Sequence, residues 1–472
     1  MSALRPFVLE AGLGALMLLV FVVNLLARRE DRRSAAWIAT VGILVLAVVS
    51  FACRPAGAAL GGRFVQDGLA LFAKRLFLIA TFIGLLGGLS LSEHAFVRRA
   101  GEYHLLLLAS LLGMLVLASS RDILLLFIAF ELMSIPLYLL AGFDKRRAEA
   151  VEASLKFFLV GSVSTAVMAY GLSFVYGATG TTDLGKIAAA LEAPGPLLTL
   201  GLTTVLAGLA FKIAAFPFHM WVPDTYEAAA TPFVAWLSVT PKAAGFITLF
   251  RVYFEGTGSS AEAWMPIAAG LATLTMLAGN LMALPQQNTK RLLAYSGIAQ
   301  IGYMLVGFAA ASASGTAMVL FYLVAYVFGN MGAFLVVEAV ARVEGSTSTQ
   351  ALRGLAQRSP LLALAMLLFL LSLGGIPFMA GFWAKLYVFW AAAEQGLYWL
   401  VLLGALLTVL ALFYYLVVAK RMYIEPPPRP DRVPLPTTLA LSVILCAAGV
   451  VVIGVYPKAL VMAALRVAAP LF

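Results

Sequence analysis

Long apolar runs separated by short polar segments make up most of this chain. Fourteen of the runs approach the length of about twenty residues that a helix needs to cross the hydrocarbon core of a bilayer. The predicted spans are residues 8–27, 35–53, 71–91, 104–119, 123–142, 154–177, 197–216, 233–254, 262–284, 292–312, 315–341, 361–390, 397–419 and 435–456. This pattern predicts an all-α polytopic membrane protein with about 14 transmembrane helices.

Composition excludes a soluble globular protein. Hydrophobic residues form 62% of the 472 residues and charged residues only 11%, whereas about a quarter of the residues in soluble domains are charged. The first apolar run lacks a small-residue cleavage site, so a retained helix is expected rather than a signal peptide. The loops are short and contain no glycine-rich phosphate-binding motif, so no bound nucleotide or redox cofactor is expected in this chain.

Two cysteines, Cys53 and Cys446, lie in separate apolar runs. They form no C-x-x-C pair, so the sequence predicts buried thiols and neither a disulfide, a zinc site nor an iron–sulfur site. The net charge of +10 is explained by membrane topology rather than by binding to nucleic acid.

Positive charges are unevenly divided between the two sides of the predicted bundle. One side collects 18 Lys and Arg residues and the other 10, with four Lys residues left inside helices. The first loop on the richer side holds Arg28, Arg29 and Arg32. The poorer side includes Arg251 and Lys74, although Lys74 could instead lie inside the third helix. Because cytoplasmic loops carry the excess of Lys and Arg, both termini are predicted outside the cytoplasm.

An internal repeat is indicated by two Pro-Phe pairs, in FKIAAFPFHMW at 211–221 and in LGGIPFMAGFW at 373–383. Pro217 and Pro377 are 160 residues apart. Two repeated units of five helices each, the fourth to eighth and the ninth to thirteenth, would account for this spacing. An odd number of helices per unit inverts the second copy relative to the first. The predicted segments are residues 1–102, 103–256, 257–424 and 425–472, with helices 7 and 12 broken.

The break at Pro217 has a chemical consequence. Proline lacks a backbone N–H and obstructs the carbonyl four residues earlier, at Ile213, so polar groups are freed beside Lys212. Free carbonyls and water at such a break can solvate a proton. The alternative is an ordinary proline kink in a membrane helix.

Four ionisable residues lie within predicted spans: Glu131, Lys212, Lys242 and Lys385. A Lys at the centre of a membrane helix costs about 2.5–3.5 kcal/mol, so such residues mark functional sites. Glu131 is expected to pair with Lys212, and making or breaking the contact would change the proton affinity of Lys212. The alternatives are a structural ion pair for Glu131 and a lysine that reaches the membrane surface for Lys242. Lys156 is expected to be such a surface lysine.

Further polar residues are candidates for a hydrated path. His219 lies in the break itself, and it either passes a proton or only binds loop carbonyls. The other candidates, in the tenth and eleventh helices, are Tyr295, Ser296, Tyr322, Tyr326 and Asn330. Hydrogen bonds between helices explain the latter group equally well.

Four stretches resemble the antiporter-like subunits of respiratory complex I, most closely its N subunit. They are FELMSIPLYLLAGF, GLAFKIAAFPFHMWVPDTYEAAATP, TKRLLAYSGIAQIGYMLVGF and GGIPFMAGFWAKLYVF. The resemblance implies that Glu131, Lys212, Lys242 and Lys385 form the proton path, because they match the family's positions. A Lys rather than Glu in the twelfth helix, and a chain that stops at Phe472 without a long lateral helix, favour the N subunit over the M and L subunits.

The resemblance also implies a cellular setting. The expected protein is a redox-silent proton-translocating subunit in the inner membrane of a bacterium, beside M- and K-like neighbours, with both termini periplasmic. FMN, iron–sulfur clusters and quinone are implied in partner subunits. The alternatives are a subunit of a sodium/proton antiporter or of a membrane-bound hydrogenase, or a scaffold that does not pump. One departure is that no His occurs in helices 8 to 11, where some relatives use one.

Overall fold

A computed structural model describes residues 2–26, 33–91, 94–190, 195–257, 261, 264–429 and 431–472. Arg28, Arg29 and Arg32 of the charge count lie outside these residues, as does residue 27 at the end of the first predicted span. The α-helices are α1 (Val8–Leu26), α2 (Arg33–Ala52), α3 (Gly68–Gly88), α4 (His94–Arg98), α5 (Ala100–Ser119), α6 (Ile123–Ala141), α7 (Ala148–Thr179), α8 (Leu184–Ala189), α9 (Pro196–Ile213), α10 (Trp221–Ala228), α11 (Thr231–Leu237), α12 (Thr240–Phe250), α13 (Met265–Ala283), α14 (Thr289–Ala309), α15 (Ala313–Glu344), α16 (Leu355–Arg358), α17 (Pro360–Gly374), α18 (Ala380–Glu394), α19 (Tyr398–Tyr423), α20 (Thr437–Val455) and α21 (Lys458–Ala468). Two short strands, β1 (Gly57–Ala59) and β2 (Phe64–Gln66), form an antiparallel hairpin.

The predicted all-α membrane architecture is confirmed. Among the residues that the structure describes, thirteen helices are long and apolar enough to cross a membrane, and each coincides with a predicted span. The remaining prediction, 361–390, falls on α17 and α18, which are separated by a break. With 15 residues, α17 is about 22 Å long, too short to cross a core of about 30 Å alone. The twelfth helix is therefore broken, as predicted.

Helix boundaries follow local chemistry. The side chain of Asp122 accepts hydrogen bonds from Leu124 N and Leu125 N and begins α6, and Asn288 begins α14 in the same way. At the other end, Gly180 adopts a left-handed conformation, with φ of 68°, and ends the 32-residue helix α7. Long apolar runs thus become separate helices because polar or glycine residues stand at their ends.

Glycines let the first two helices of each predicted repeat approach closely. A Cβ at Gly113 of α5 would lie 2.4 Å from the backbone N of Met133 in α6. A Cβ at Gly279 of α13 would lie 2.3 Å from the N of Ala299 in α14. Small residues at these crossings allow backbone contact without voids. The shared device is consistent with a duplication, and the inversion of the second copy stays a prediction.

The chain forms two compact units. Unit 1 comprises Met1–Ile213, Thr240–Trp264 and Pro470–Phe472, and unit 2 comprises Ala214–Val239 and Met265–Ala469. The four segments predicted from the sequence group helices by an internal repeat, whereas the two units group residues by spatial contact. The division into four segments therefore stays a prediction.

Two cations that the charge count placed in loops lie in the protein interior instead. Lys74 is in α3 and forms an ion pair with Glu10 at 2.6 Å, and Arg251 lies at the end of the span Thr231–Glu255. Both side chains are fully buried. Both positions fall near the ends of predicted spans, 71–91 and 233–254, and the charge count assigned them to the adjoining loops, although Lys74 inside the third helix was the stated alternative. Removing these two from the poorer side changes 18 against 10 to 18 against 8, and the orientation itself stays a prediction.

Candidate functional site

Lys212 lies at the end of α9 in unit 1, with only 2% of its surface exposed. Its Nζ donates a hydrogen bond to Ser134 Oγ at 2.8 Å and lies 5.2 Å from the centre of the Phe130 ring. Phe130 and Ser134 are four residues apart on α6 and so share one face of that helix. Lys212 is therefore held by α6 through one hydroxyl and one aromatic face.

Glu131 does not form the direct ion pair with Lys212 that the sequence suggested. Its Oε1 accepts a hydrogen bond at 2.8 Å from Thr165 Oγ1 of α7, and its side chain is half-buried. Glu131 still interacts electrostatically with Lys212. The two charges are thus coupled through space while each has its own hydroxyl partner.

Lys242 lies in the first turn of α12, just after the predicted eighth span is interrupted between α11 and α12. It is 1% exposed. Gly245, three residues later on the same face, lets α12 approach α9: a Cβ there would lie 2.6 Å from Ile213 Cγ2 and 3.7 Å from Lys212 Cγ. The helices that carry the two buried lysines are therefore in direct contact within unit 1.

The break predicted at Pro217 separates α9 from α10. Ala214 has a φ of 65°, and the Phe216–Pro217 peptide bond is cis. Phe216 N donates to Thr275 Oγ1 at 3.1 Å, which satisfies one backbone group of the break. His219 is buried there, and its ring stacks on Phe216 with centroids 5.4 Å apart. This packing gives His219 a fixed position, and its part in a proton path stays a prediction.

The second break lies between α17 and α18, around Pro377. Gly375 ends α17 with a φ of 82°, a left-handed conformation that glycine adopts without strain. Lys385, on α18 and 4% exposed, reaches back so that its Nζ lies 3.5 Å from Gly374 O. The same Nζ is 4.5 Å from the centre of the Tyr303 ring. The broken helix thus offers a backbone carbonyl to a buried lysine.

A connected polar network begins at the same break in unit 2. Gln300 Nε2 donates to Leu373 O at 3.0 Å and to Tyr415 Oη at 3.2 Å. Gln300 Oε1 accepts a hydrogen bond from Tyr322, and Tyr415 is hydrogen-bonded to Ser296. Gln300 and Tyr415 were missed by the sequence reasoning, although a Gln at the centre of an apolar span is itself a signal.

Asn280 extends the polar region around Lys385. Its Nδ2 donates to Tyr303 Oη at 3.2 Å, and its Oδ1 accepts from Tyr414 at 3.2 Å. The rings of Tyr414 and Tyr415 are 4.5 Å apart. Lys385 therefore lies beside a set of tyrosine hydroxyls and side-chain amides that the sequence only partly identified.

The other predicted residues have different surroundings. Tyr326 is buried on α15, one turn after Tyr322, and Asn330 donates to Ser238 Oγ at 2.8 Å. Tyr295 is half-buried, and its side chain makes no hydrogen bond among the described residues. Lys156 forms an ion pair with Glu152 at 2.7 Å on an exposed face of α7. Of the path candidates in α14 and α15, Tyr322 and Ser296 join the network at Gln300.

Comparison with known proteins places the chain among membrane subunits. The family described as "NADH:quinone oxidoreductase/Mrp antiporter, TM" matches residues 120–411. The chain belongs to this family. It is 41% identical to the NADH-quinone oxidoreductase subunit N of Moorella thermoacetica, and the match covers 100% of both chains.

Solved structures agree with this assignment. A chain of respiratory complex I from Thermus thermophilus with bound Aureothin has a TM-score of 0.83 and 32% identity, covering 96% of this chain and 98% of that one. A chain of the archaeal membrane-bound sulfane sulfur reductase has a TM-score of 0.88 and 25% identity, covering 99% and 97%. The fold is thus shared by different respiratory complexes.

Proposed function

We propose that this chain is the N-type membrane subunit of a bacterial NADH–quinone oxidoreductase and that it translocates protons through Glu131, Lys212, Lys242 and Lys385. The observation that carries the proposal is the contact at Gly245 between two helices that each bring a buried lysine. A scaffold needs no such residues, and their cost in a membrane interior indicates a function. The chain itself is redox-silent in this proposal, and quinone reduction occurs elsewhere in the complex.

Lysine suits this role because its ammonium can lose a proton when its surroundings change, unlike the guanidinium of arginine. In unit 1, the charge on Glu131 acts on Lys212, and the hydroxyl of Ser134 gives that lysine a fixed position. A proton arriving at or leaving Lys212 changes the field at the neighbouring helix, where Lys242 lies. Because charges interact strongly in a low-dielectric interior, redox chemistry in partner subunits can drive such steps.

In unit 2, Lys385 handles the proton at the break in the twelfth helix. The carbonyl of Gly374 and the Tyr303 ring stabilise its charged form. The hydroxyls and amides around Gln300 and Asn280 can reorient, and each accepts and donates hydrogen bonds. The proposed order of travel is from Glu131 and Lys212 through Lys242 to Lys385.

The relatives and the uneven distribution of Lys and Arg residues support the proposed setting. The chain is a multi-pass protein of a bacterial plasma membrane with both termini on the periplasmic side. M- and K-like membrane subunits are its neighbours, and FMN, iron–sulfur clusters and quinone belong to other subunits of the complex.

A second candidate is a subunit of an antiporter or of another membrane-bound redox complex. The TM-score of 0.88 to the sulfane sulfur reductase chain supports it, because the fold does not separate these assemblies. The sequence favours NADH–quinone oxidoreductase, with 41% identity over the whole of the Moorella chain.

The partner set of the purified complex tests the proposal. We expect a tagged chain extracted from its native membrane to copurify with flavin- and iron–sulfur-containing subunits. After reconstitution, NADH with a quinone should drive proton uptake or release without added sodium. An assembly without redox proteins, or proton movement that requires sodium, would contradict the proposal.

Substitution of Gly245 by alanine should lower the number of protons translocated per electron. The new Cβ would lie 2.6 Å from Ile213 Cγ2, a branch on a stiff side chain, so α12 must move away from α9. Overpacking of this kind costs about 1–3 kcal/mol. The measurement is the ratio of proton to electron flux in vesicles.

The matched control for Gly245→Ala is Gly270→Ala in α13, where a new Cβ meets nothing within 4 Å. Both changes raise helix propensity similarly, so only the contact differs. Equal proton-to-electron ratios in the two variants would show that the approach of α12 to α9 is not needed.

A further inference from the structure

Unit 1 contains a second group of charged residues, around the buried Arg251, that the proposed relay does not use. Arg251 lies nine residues beyond Lys242 on the same span, about 13 Å further along the helix axis. It begins a five-residue π-helical segment, Arg251–Glu255, and its side chain is 0% exposed. Arg251, Asp67, Glu255 and Arg121 are here called the Arg251 cluster.

Every N–H donor of Arg251 is used. One terminal nitrogen donates to Asp67 Oδ2 at 2.6 Å and to Glu255 Oε1. The other donates to Asp67 Oδ1 at 2.7 Å and to Ala118 O at 3.0 Å. Nε donates to the same carbonyl at 3.2 Å. Because a guanidinium has five N–H groups, none is left for a water molecule.

Backbone segments from three parts of unit 1 meet beside the cluster. Arg121 Nε pairs with Glu255 Oε2 at 2.9 Å, while its backbone N donates to Arg63 O at 2.8 Å. Leu184 N in turn donates to Arg121 O at 3.0 Å. The β1–β2 hairpin, the α5–α6 turn and the first residue of α8 are thus hydrogen-bonded together at one end of the unit. Arg251 is inaccessible to solvent beneath these residues.

Asp67, just outside the span of α3, is a poor proton acceptor. Burial alone would raise the pKa of Asp67, but the Arg251 charge and its hydrogen bonds outweigh burial and hold the pKa below its usual value of 3.8. A lowered carboxyl pKa means that the ion pair persists at every pH above that value and weakens only as the pH falls through the lowered one. Asp67 therefore stays ionised throughout the working pH range.

We propose that the Arg251 cluster is a proton barrier, which closes this end of unit 1 so that a proton held at Lys242 does not leave there. The inference rests on the proposed function, because it takes Lys242 to carry a proton. Arg251 cannot deprotonate, offers no free donor to a chain of water molecules, and repels a cation by its charge. One-way transport needs such a barrier, since a relay open at both ends would dissipate the gradient.

The test is passive proton flux in vesicles that contain the whole complex, without NADH. A pH gradient is imposed, the membrane potential is clamped with potassium and valinomycin, and the decay is followed with a pH-sensitive dye. We expect Arg251→Gln to make the decay severalfold faster than in the unsubstituted complex. Arg251→Lys keeps a cation, but its ammonium can lose a proton and has only three donors, so the decay should be faster than in the unsubstituted complex and slower than with Arg251→Gln.

Two further variants separate a barrier from a packing defect. Addition of Lys242→Ala to Arg251→Gln should return the decay to the unsubstituted rate, because the leak uses Lys242. The triple variant Asp67→Asn, Arg251→Met, Glu255→Gln leaves no buried charge unpaired, because Arg121, which loses its partner Glu255, is 40% exposed. It should also leak, which keeps the test available if Arg251→Gln does not assemble. The control is Arg99→Gln, which removes an exposed arginine paired with Glu102. Its pH gradient should decay at the unsubstituted rate.

The barrier proposal would be wrong if the triple variant assembled and its pH gradient decayed no faster than in the unsubstituted complex. It would also be wrong if the fast decay of Arg251→Gln persisted after Lys242→Ala was added. The assay needs no redox turnover, so its failure is distinct from failure of the proposed pumping function. That function fails instead if the unsubstituted complex oxidises NADH without moving protons.

Discussion

Replacement of Lys212 or Lys242 by alanine is expected to abolish proton translocation through this subunit. Both side chains are buried on helices in contact, so no solvent group can replace the missing ammonium. Removal of a positioned acid–base group slows proton transfer by about 10²–10⁴-fold. Either the rate of NADH oxidation falls, if pumping is obligatory, or fewer protons move per electron. Both quantities are measured in reconstituted vesicles.

Arginine at the same positions distinguishes a relay from a fixed charge. Lys212→Arg and Lys242→Arg keep a cation but cannot release a proton, so both should be as defective as the alanine variants. The control is Lys156→Ala, which removes a lysine paired with Glu152 on an exposed face of the same unit and should have little effect. Full activity in the alanine variants, or rescue by arginine, would show that these lysines do not relay protons.

Lys385→Met is expected to block proton transfer in unit 2 with a loss as large as that of the unit 1 variants. Methionine has a similar length and fills the space beside Gly374 and Tyr303, but it cannot bind a proton. If proton transfer is lost while the complex still assembles, the cause is the missing protonatable group and not a packing defect. The measurement is again the proton-to-electron ratio, together with the rate of NADH oxidation.

The position of Lys385 can be tested with a matched pair of glycines. A Cβ at Gly375 would lie 3.1 Å from Lys385 Cδ, whereas a Cβ at Gly396 meets nothing within 4 Å. The two glycines have φ values of 82° and 74°, so alanine brings a similar backbone strain of about 1–2 kcal/mol at each. Gly375→Ala should lower the ratio more than Gly396→Ala. Equal effects would mean that the geometry of this break does not position Lys385.

Much of the fold could be predicted because the signals are local. A run of apolar residues has one low-energy arrangement in a bilayer, the helix, since every backbone polar group must be paired within it. The break in the twelfth helix could be predicted from Pro377, because proline has no backbone N–H to donate within a regular helix. The buried Lys212, Lys242 and Lys385 were recognisable because a charge within an apolar run is itself unusual.

Contacts between distant residues could not be predicted in the same way. Lys212 was expected to bind Glu131, but its hydrogen-bond partner is Ser134, 78 residues earlier and one turn from Glu131 on α6. Gln300 meets Tyr415 across 115 residues of sequence. Which of several polar residues face each other depends on helix rotation and approach, and these are set by packing.

The amino-acid pattern alone was enough to identify a polytopic helical membrane protein of the antiporter-like family, with proline breaks in two helices and lysines buried near them. Hydropathy, proline geometry and the cost of a buried charge each depend on residues that are close together in the chain, so they can be recognised from the sequence. Two contacts became known from the folded chain: α12 contacts α9 at Gly245, and Arg251, which was counted as a loop cation, binds Asp67, 184 residues away. Such contacts form between helices that are far apart in the chain, so no short stretch of sequence indicates which residues will be in contact.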